Sequence, residues 1–318
     1  MTAGEADRPS PGVVYGVLAL GIVTVSASAL IIREGYDAVG GGSTGRGLLM
    51  AFSRMALAAV LTLPAWRPPR PLALPEGTRG RAVAGGVLLG LHFGTWLPSL
   101  AFTSIAASTT IVTTVPVWVV LLVWVTQGRR PSARTGLGIA VAIAGGTLVA
   151  LGDVEGLGSG SNPLLGNLLA LAAAVTYSAH LLLGQAVQAR GLGVWRWTTI
   201  VATAGAVAIA PLVVATAPGE GPYPVRFWVA VVGLCVVSQL VGHSSLTWST
   251  RWISPTLVSV AILLEPVLAS AGAAALYDEV PGPGVLLGAV VLVVGVALTT
   301  LAEQPSDPTP ADDPLGAP

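Results

Sequence analysis

The sequence predicts an all-α membrane protein of ten transmembrane helices, arranged as two inverted five-helix repeats. Three observations carry that prediction. Of 318 residues, 53% are hydrophobic and only 9% are charged, against about 25% charged in a soluble domain. The apolar residues fall into runs long enough to cross a bilayer, and arginine is concentrated in alternate connections between them. Finally, the chain matches itself at an offset of 150 residues in the positions that shape helices.

A spanning helix needs about 20 mainly apolar residues. Ten segments qualify: 12–32, 48–65, 82–102, 105–126, 135–152, 164–187, 196–216, 227–248, 253–275 and 283–302. The breaks between the third and fourth and between the eighth and ninth are very short. No cleavable leader is expected, because Met1 to Pro11 is polar and the first apolar run is long enough to span. Residues 303–318 are rich in Pro and Asp and are expected to be a disordered tail.

Alternate connections carry Arg67, Arg70, Arg79 and Arg81, then Arg129, Arg130 and Arg134, then Arg190 and Arg196, then Arg251. The intervening ones carry Arg33, Arg46 and Arg226 together with acids such as Asp37, Asp153, Glu155, Glu220, Asp278 and Glu279. The positive-inside bias places the first set in the cytoplasm, and ten spans then leave both termini cytoplasmic, in the inner cell membrane.

At the 150-residue offset Ser28-Ala29 lies on Ser178-Ala179, Pro116 on Pro266, Gly138 on Gly288 and Gly145 on Gly295. Segment 12–152 is thus the first repeat and 164–302 the second, flanked by tails 1–11 and 303–318. Five helices is an odd number, so the second copy enters the membrane from the opposite side. Secondary transporters use this symmetry, with the binding site near the midplane between the repeats.

Phe52-Ser53-Arg54, Thr114-Val115-Pro116-Val117, Gly136-x-Gly138 through Gly145-Gly146, and Leu264-Glu265-Pro266-Val267 follow one another in a characteristic order, with Asp278-Glu279 and Gly288 to Gly295 after them. In these the chain resembles the ten-helix, EamA-type branch of the drug/metabolite transporter superfamily. The resemblance implies export or exchange of small organic metabolites such as amino acids, amines or drugs. The family pattern usually places a glutamate at the end of both the fourth and the ninth helix. Here Glu279 stands in the ninth, but its repeat partner is Arg129.

Polar residues deep in a span are the candidates for function. Glu265 is foremost, in a helix face otherwise made small by Ala261, Ala269 and Gly272. It could bind a cationic amine, hold a proton released on substrate binding, or simply pin the kink. Pro266 and Pro116 are read as structural kinks. Arg54 lies about six residues into its span, near enough to the end to snorkel or pair with a loop acid. It could also bind a substrate carboxylate. His92, Trp96 and Ser99 share one helix face, as do Gln239, His243 and Thr247 on the repeat-partner helix. Tyr177 and His180 form a third patch. These are expected to be walls of one cavity or ordinary interhelical bonds. Trp118 either faces the cavity or packs. Thr109, Thr110, Thr113 and Thr114 are expected to satisfy carbonyls freed by Pro116. Trp66, Trp195 and Trp197, at run ends, read as interfacial belt.

Zero net charge argues against nucleic-acid partners, and the lone Cys235 excludes an intramolecular disulfide. No metal site or cofactor is expected, since no His pair has ligand spacing. The oligomeric state is left open. No phosphate-binding loop of the ATPase type occurs. The leading expectation is therefore a secondary transporter of a small solute, not an enzyme; export is what the family resemblance implies, and proton antiport through Glu265 is one way to drive it. The alternative, a membrane-embedded enzyme acting on lipid or a small metabolite, would need clustered acids or a nucleophile with its base.

Overall fold

The computed structural model describes residues 9–66, 74–128, 130–155, 160–216, 222–253, 258, 261–278 and 280–302. The described residues form helices and no strand. Among the described residues six helical runs are long and apolar enough to cross a membrane, and three shorter apolar helices accompany them. Arg67, Arg70, Arg129, Glu220, Glu279 and the C-terminal tail lie outside the described residues, as do 254–257 and 259–260 at the start of the ninth expected span.

Helix α1 runs Pro11–Asp37 and starts with proline at N1, where its missing N–H costs nothing. Helix α2, Thr44–Thr62, is capped by Ser43, whose side chain accepts from Arg46 N at 3.1 Å. A 3-10 turn follows at Leu63–Trp66. Helix α3, Arg79–Ser99, has Pro98 in its last turn and turns tightly into α4, Ile105–Val112, which Ser104 caps. The fourth expected span is therefore broken: α4 stops, and α5 resumes at Val115–Gln127 with Pro116 in its first turn. Helices α6 (Ala133–Glu155), α7 (Pro163–Ala189) and α8 (Val194–Thr216) follow.

The eighth expected span is one continuous run but not one α-helix. Its α9 (Val225–Gly233) and α10 (Ser244–Ser249) are joined by a π-helical segment, Leu234–His243. Bonding from i to i+5 widens the turn there. Helix α11, Leu264–Tyr277, begins beside Glu265-Pro266 much as α5 begins beside Val115-Pro116. Helix α12 is Pro283–Ala302.

Four glycines set the tightest helix pair, α6 against α12. A Cβ on Gly145 would overlap the Leu292 backbone, and one on Gly295 would overlap the Ala142 backbone. Gly138 likewise abuts Thr299, while Gly288 abuts Val149. Each contact recurs with its partners exchanged at the 150-residue offset. The left-handed C-caps follow the same offset: Gly128 (φ 67°) ends α5 and Asp278 (φ 55°) ends α11. Small residues let helix backbones approach where lipid supplies no hydrophobic drive.

Elsewhere α3 packs on α7 and α8, α2 on α8, and α1 on both the π segment and α11. Ile32, Met50, Met55, Phe93 and Leu97 are buried at the centre, while Val125, Leu137, Val267 and Leu301 are exposed, as suits side chains facing lipid. Two polar knots tie helix ends. Arg226 Nη2 meets Glu34 Oε2 at 2.6 Å, and Tyr277 Oη donates to Glu34 Oε1 at 3.1 Å, joining α9, α11 and α1. Arg251 donates to Gln188 Oε1 at 3.2 Å and to Leu192 O at 3.1 Å, joining the end of α10 to that of α7.

Candidate functional site: a polar cavity at the helix breaks

Helix α11 exposes Leu264, Val267 and Leu268 on one side and buries Glu265 and Ala269 on the other. The small face opposite the lipid meets α1, where a Cβ on Gly272 would lie 2.5 Å from Leu30. Apolar periodicity thus turns the carboxylate inward.

There Glu265 lines a cavity of about 30 Å³, together with Ser28, His92, Trp96, Thr113, Tyr177 and His243. Space of that size holds one or two waters, so a larger solute needs the walls to open. Val25, Val112, Val115, Leu246 and Ile262 complete the wall. Both helix breaks contribute, α4–α5 through Thr113 and Val115 and α11 through Glu265. No hydrogen bond or ion pair engages the Glu265 carboxylate among the described residues. Trp96 Nε1 is likewise buried without a partner. Two residues of the cavity wall thus carry polar groups without a protein partner among the described residues, one an acceptor and one a donor.

The three polar stripes converge, but their members do different things. His92 Nδ1 is 2.9 Å from Ala173 O on α7, and His180 Nδ1 is 2.8 Å from Gly85 O on α3. A carbonyl only accepts, so both imidazoles carry their proton on Nδ1. The two bonds cross between α3 and α7 in opposite directions and fasten that pair. His243 Nδ1 lies 3.2 Å from Tyr177 Oη. The Tyr177 ring has His92 at 4.7 Å and His180 at 5.7 Å. His180, however, points away from the cavity toward Trp197, 5.5 Å off.

Gln239 is outside the cavity wall and accepts from Arg54 Nη2 at 3.1 Å. Arg54 does not snorkel, and it meets no loop acid among the described residues: it is fully buried, with its guanidinium 3.9 Å above the Phe93 ring. It sits on the face of α2 turned to the π segment, which offers it an amide in place of water. Trp118 is not among the cavity residues and donates to Thr114 Oγ1 at 3.0 Å. The threonines bond carbonyls one turn back. Thr109 donates to Ile105 O, Thr113 to Thr109 O and Thr114 to Ile111 O. Ser178 reaches across to Val115 O at 3.1 Å. Its offset partner Ser28, facing the cavity beside Glu265, bonds Ser238 at 2.7 Å instead.

Trp197 corrects the interfacial reading. It is 3% exposed, seated between Gly85 and Gly184. Two missing side chains make the slot its indole fills. Trp195 is half exposed, as a belt residue would be. Phe93, which links Arg54 to His243, gave no signal in the sequence beyond being apolar. Among the described residues no group of three or more His, Cys, Asp or Glu is placed to hold a metal ion.

The profile of the EamA-like transporter family matches residues 13–151 and 164–301, once over each half. The chain belongs to the EamA-like transporter family. It is a multi-pass membrane protein of a family whose members are transporters. No curated protein matches it in sequence. A solved structure described only as "Crystal structure of protein" has the same fold, with a TM-score of 0.59 at 20% identity over 92% of this chain and 98% of that one.

Proposed function

We propose that this protein is a secondary active transporter that exports a small organic metabolite by alternating access, with Glu265 coupling transport to protons. The observation that carries the proposal is a carboxylate, unpaired among the described residues, lining a small cavity at a helix break between elements of both halves of the chain. A buried charge without a partner is expensive. An ammonium group or a proton can relieve that cost, and each excludes the other, which is the logic of antiport.

Ten spans in two inverted repeats, 12–152 and 164–302, fit the reciprocal glycine contacts and the paired left-handed caps. In this scheme the α6–α12 pair is the hinge region shared by both repeats, the cavity is the substrate site, and both termini face the cytoplasm across the inner membrane. Export rather than uptake follows the family resemblance.

The test is exchange of labelled amines, amino acids and drug-like solutes in proteoliposomes at several pH values. Wild-type exchange will depend on pH, and Glu265→Gln will exchange at a rate insensitive to pH. Wild-type exchange indifferent to a proton gradient would sink the coupling, and no exchange of any solute would sink the transport reading.

A further inference from the structure

Arg54 is the deepest unexplained charge among the described residues. None of its surface is exposed. Nη2 donates to Gln239 Oε1, while Nε and Nη1 are buried with no hydrogen-bond partner. No carboxylate pairs with it among the described residues. A guanidinium stays protonated at any physiological pH. One amide and one ring face, Phe93 at 3.9 Å, offset only part of the cost of burying it.

Its position relative to the cavity is specific. Phe93 stands edge-on to His243 with ring centroids 5.4 Å apart, and His243 is cavity wall. Arg54 is thus one aromatic ring behind the site. Gln239 and His243 both belong to the π segment, so the element that forms the wall also holds the partner of Arg54.

We propose that the missing partner is a carboxylate on the transported solute, taken up by Arg54 and Gln239 when the Phe93 ring swings aside. This deepens the transporter reading and rests on it. One guanidinium with one amide suits a singly charged, planar oxyanion. Glu265, on the far side of His243, is left to meet the rest of the solute or a proton.

The test uses the full-length protein in detergent, with three matched pairs of probes: propionate and propionamide, hexanoate and hexanamide, phenylacetate and phenylacetamide. At least one carboxylate will raise the Tm, and its amide will need at least ~10-fold higher concentration for the same shift. Arg54→Met will remove the response. Gln239→Glu places a carboxylate beside Arg54 within the chain, so it will raise the ligand-free Tm and abolish the carboxylate response. That variant decides the matter if Arg54→Met fails to fold. The proposal is overturned if no carboxylate shifts the wild-type Tm, if amides match their acids, or if Gln239→Glu responds as wild type does. The two readings separate in proteoliposomes. Exchange of amines or neutral solutes without any carboxylate response leaves transport standing and removes this site. A carboxylate response lost in Gln239→Glu, without exchange of any solute, does the reverse.

Discussion

At the scale of single residues, equal positions in the two halves have been put to unequal use. Val115 and Glu265 occupy the same place relative to their prolines. The carbonyl of Val115 accepts from Ser178, whereas Glu265 brings a carboxylate into the cavity next to Ser28. The kink is architecture, and the charge is peculiar to one half. The imidazoles divide in the same way: His92 and His180 fasten α3 to α7 through carbonyls, and only His92 and His243 line the cavity. Trp197 is purely a packing residue in this picture. Trp197→Ala will leave a void between Gly85 and Gly184 and cost about 3–5 kcal/mol. The Tm in detergent will fall while the pH dependence of exchange stays that of wild type.

At the scale of elements, the α6–α12 pair is held by backbone contact that only glycine permits. Gly145→Ala places a methyl group against the Leu292 main chain, which cannot rotate out of the way as a side chain would. The helices must separate, at a cost of about 1–3 kcal/mol. Gly295→Ala will cost a similar amount at Ala142, and the two together less than the sum, because the first displacement makes room for the second. Thermal unfolding of the single and double variants checks this. The π segment is the other element with consequences. Its wide turn sets Gln239 against α2 and His243 against α7, and so connects Arg54 to the cavity.

At the scale of the whole molecule, the proposed orientation makes a direct prediction. Cys235 is fully buried and should give little background to a membrane-impermeant maleimide. Asp37→Cys and Pro224→Cys, at exposed positions, will label in intact cells. Glu76→Cys and Arg190→Cys will label only after permeabilisation. The proposed orientation puts the Arg226–Glu34–Tyr277 knot at the outer face, and the opposite labelling pattern would invert the topology.

The sequence by itself determined the family, the membrane environment and the positions of the helix breaks. Hydrocarbon forces apolar runs and penalises Glu and Pro alike, so Glu265-Pro266 and Pro116 are conspicuous without coordinates. It also determined which glycines matter, because the same ones recur at a fixed offset. Only the tertiary structure decided which polar residues meet. Side chains that share a helix face, such as Gln239 with His243, can have quite different neighbours, since neighbours come from other helices at distant points in the chain. The burial of Trp197 depends on Gly85, more than a hundred residues away in the chain, and on Gly184, thirteen residues away. The π turn between Leu234 and His243 carries no local signature either. The isolation of Arg54 from any acid among the described residues follows from packing against that turn. Periodicity records which way a side chain faces, and packing alone records what it faces.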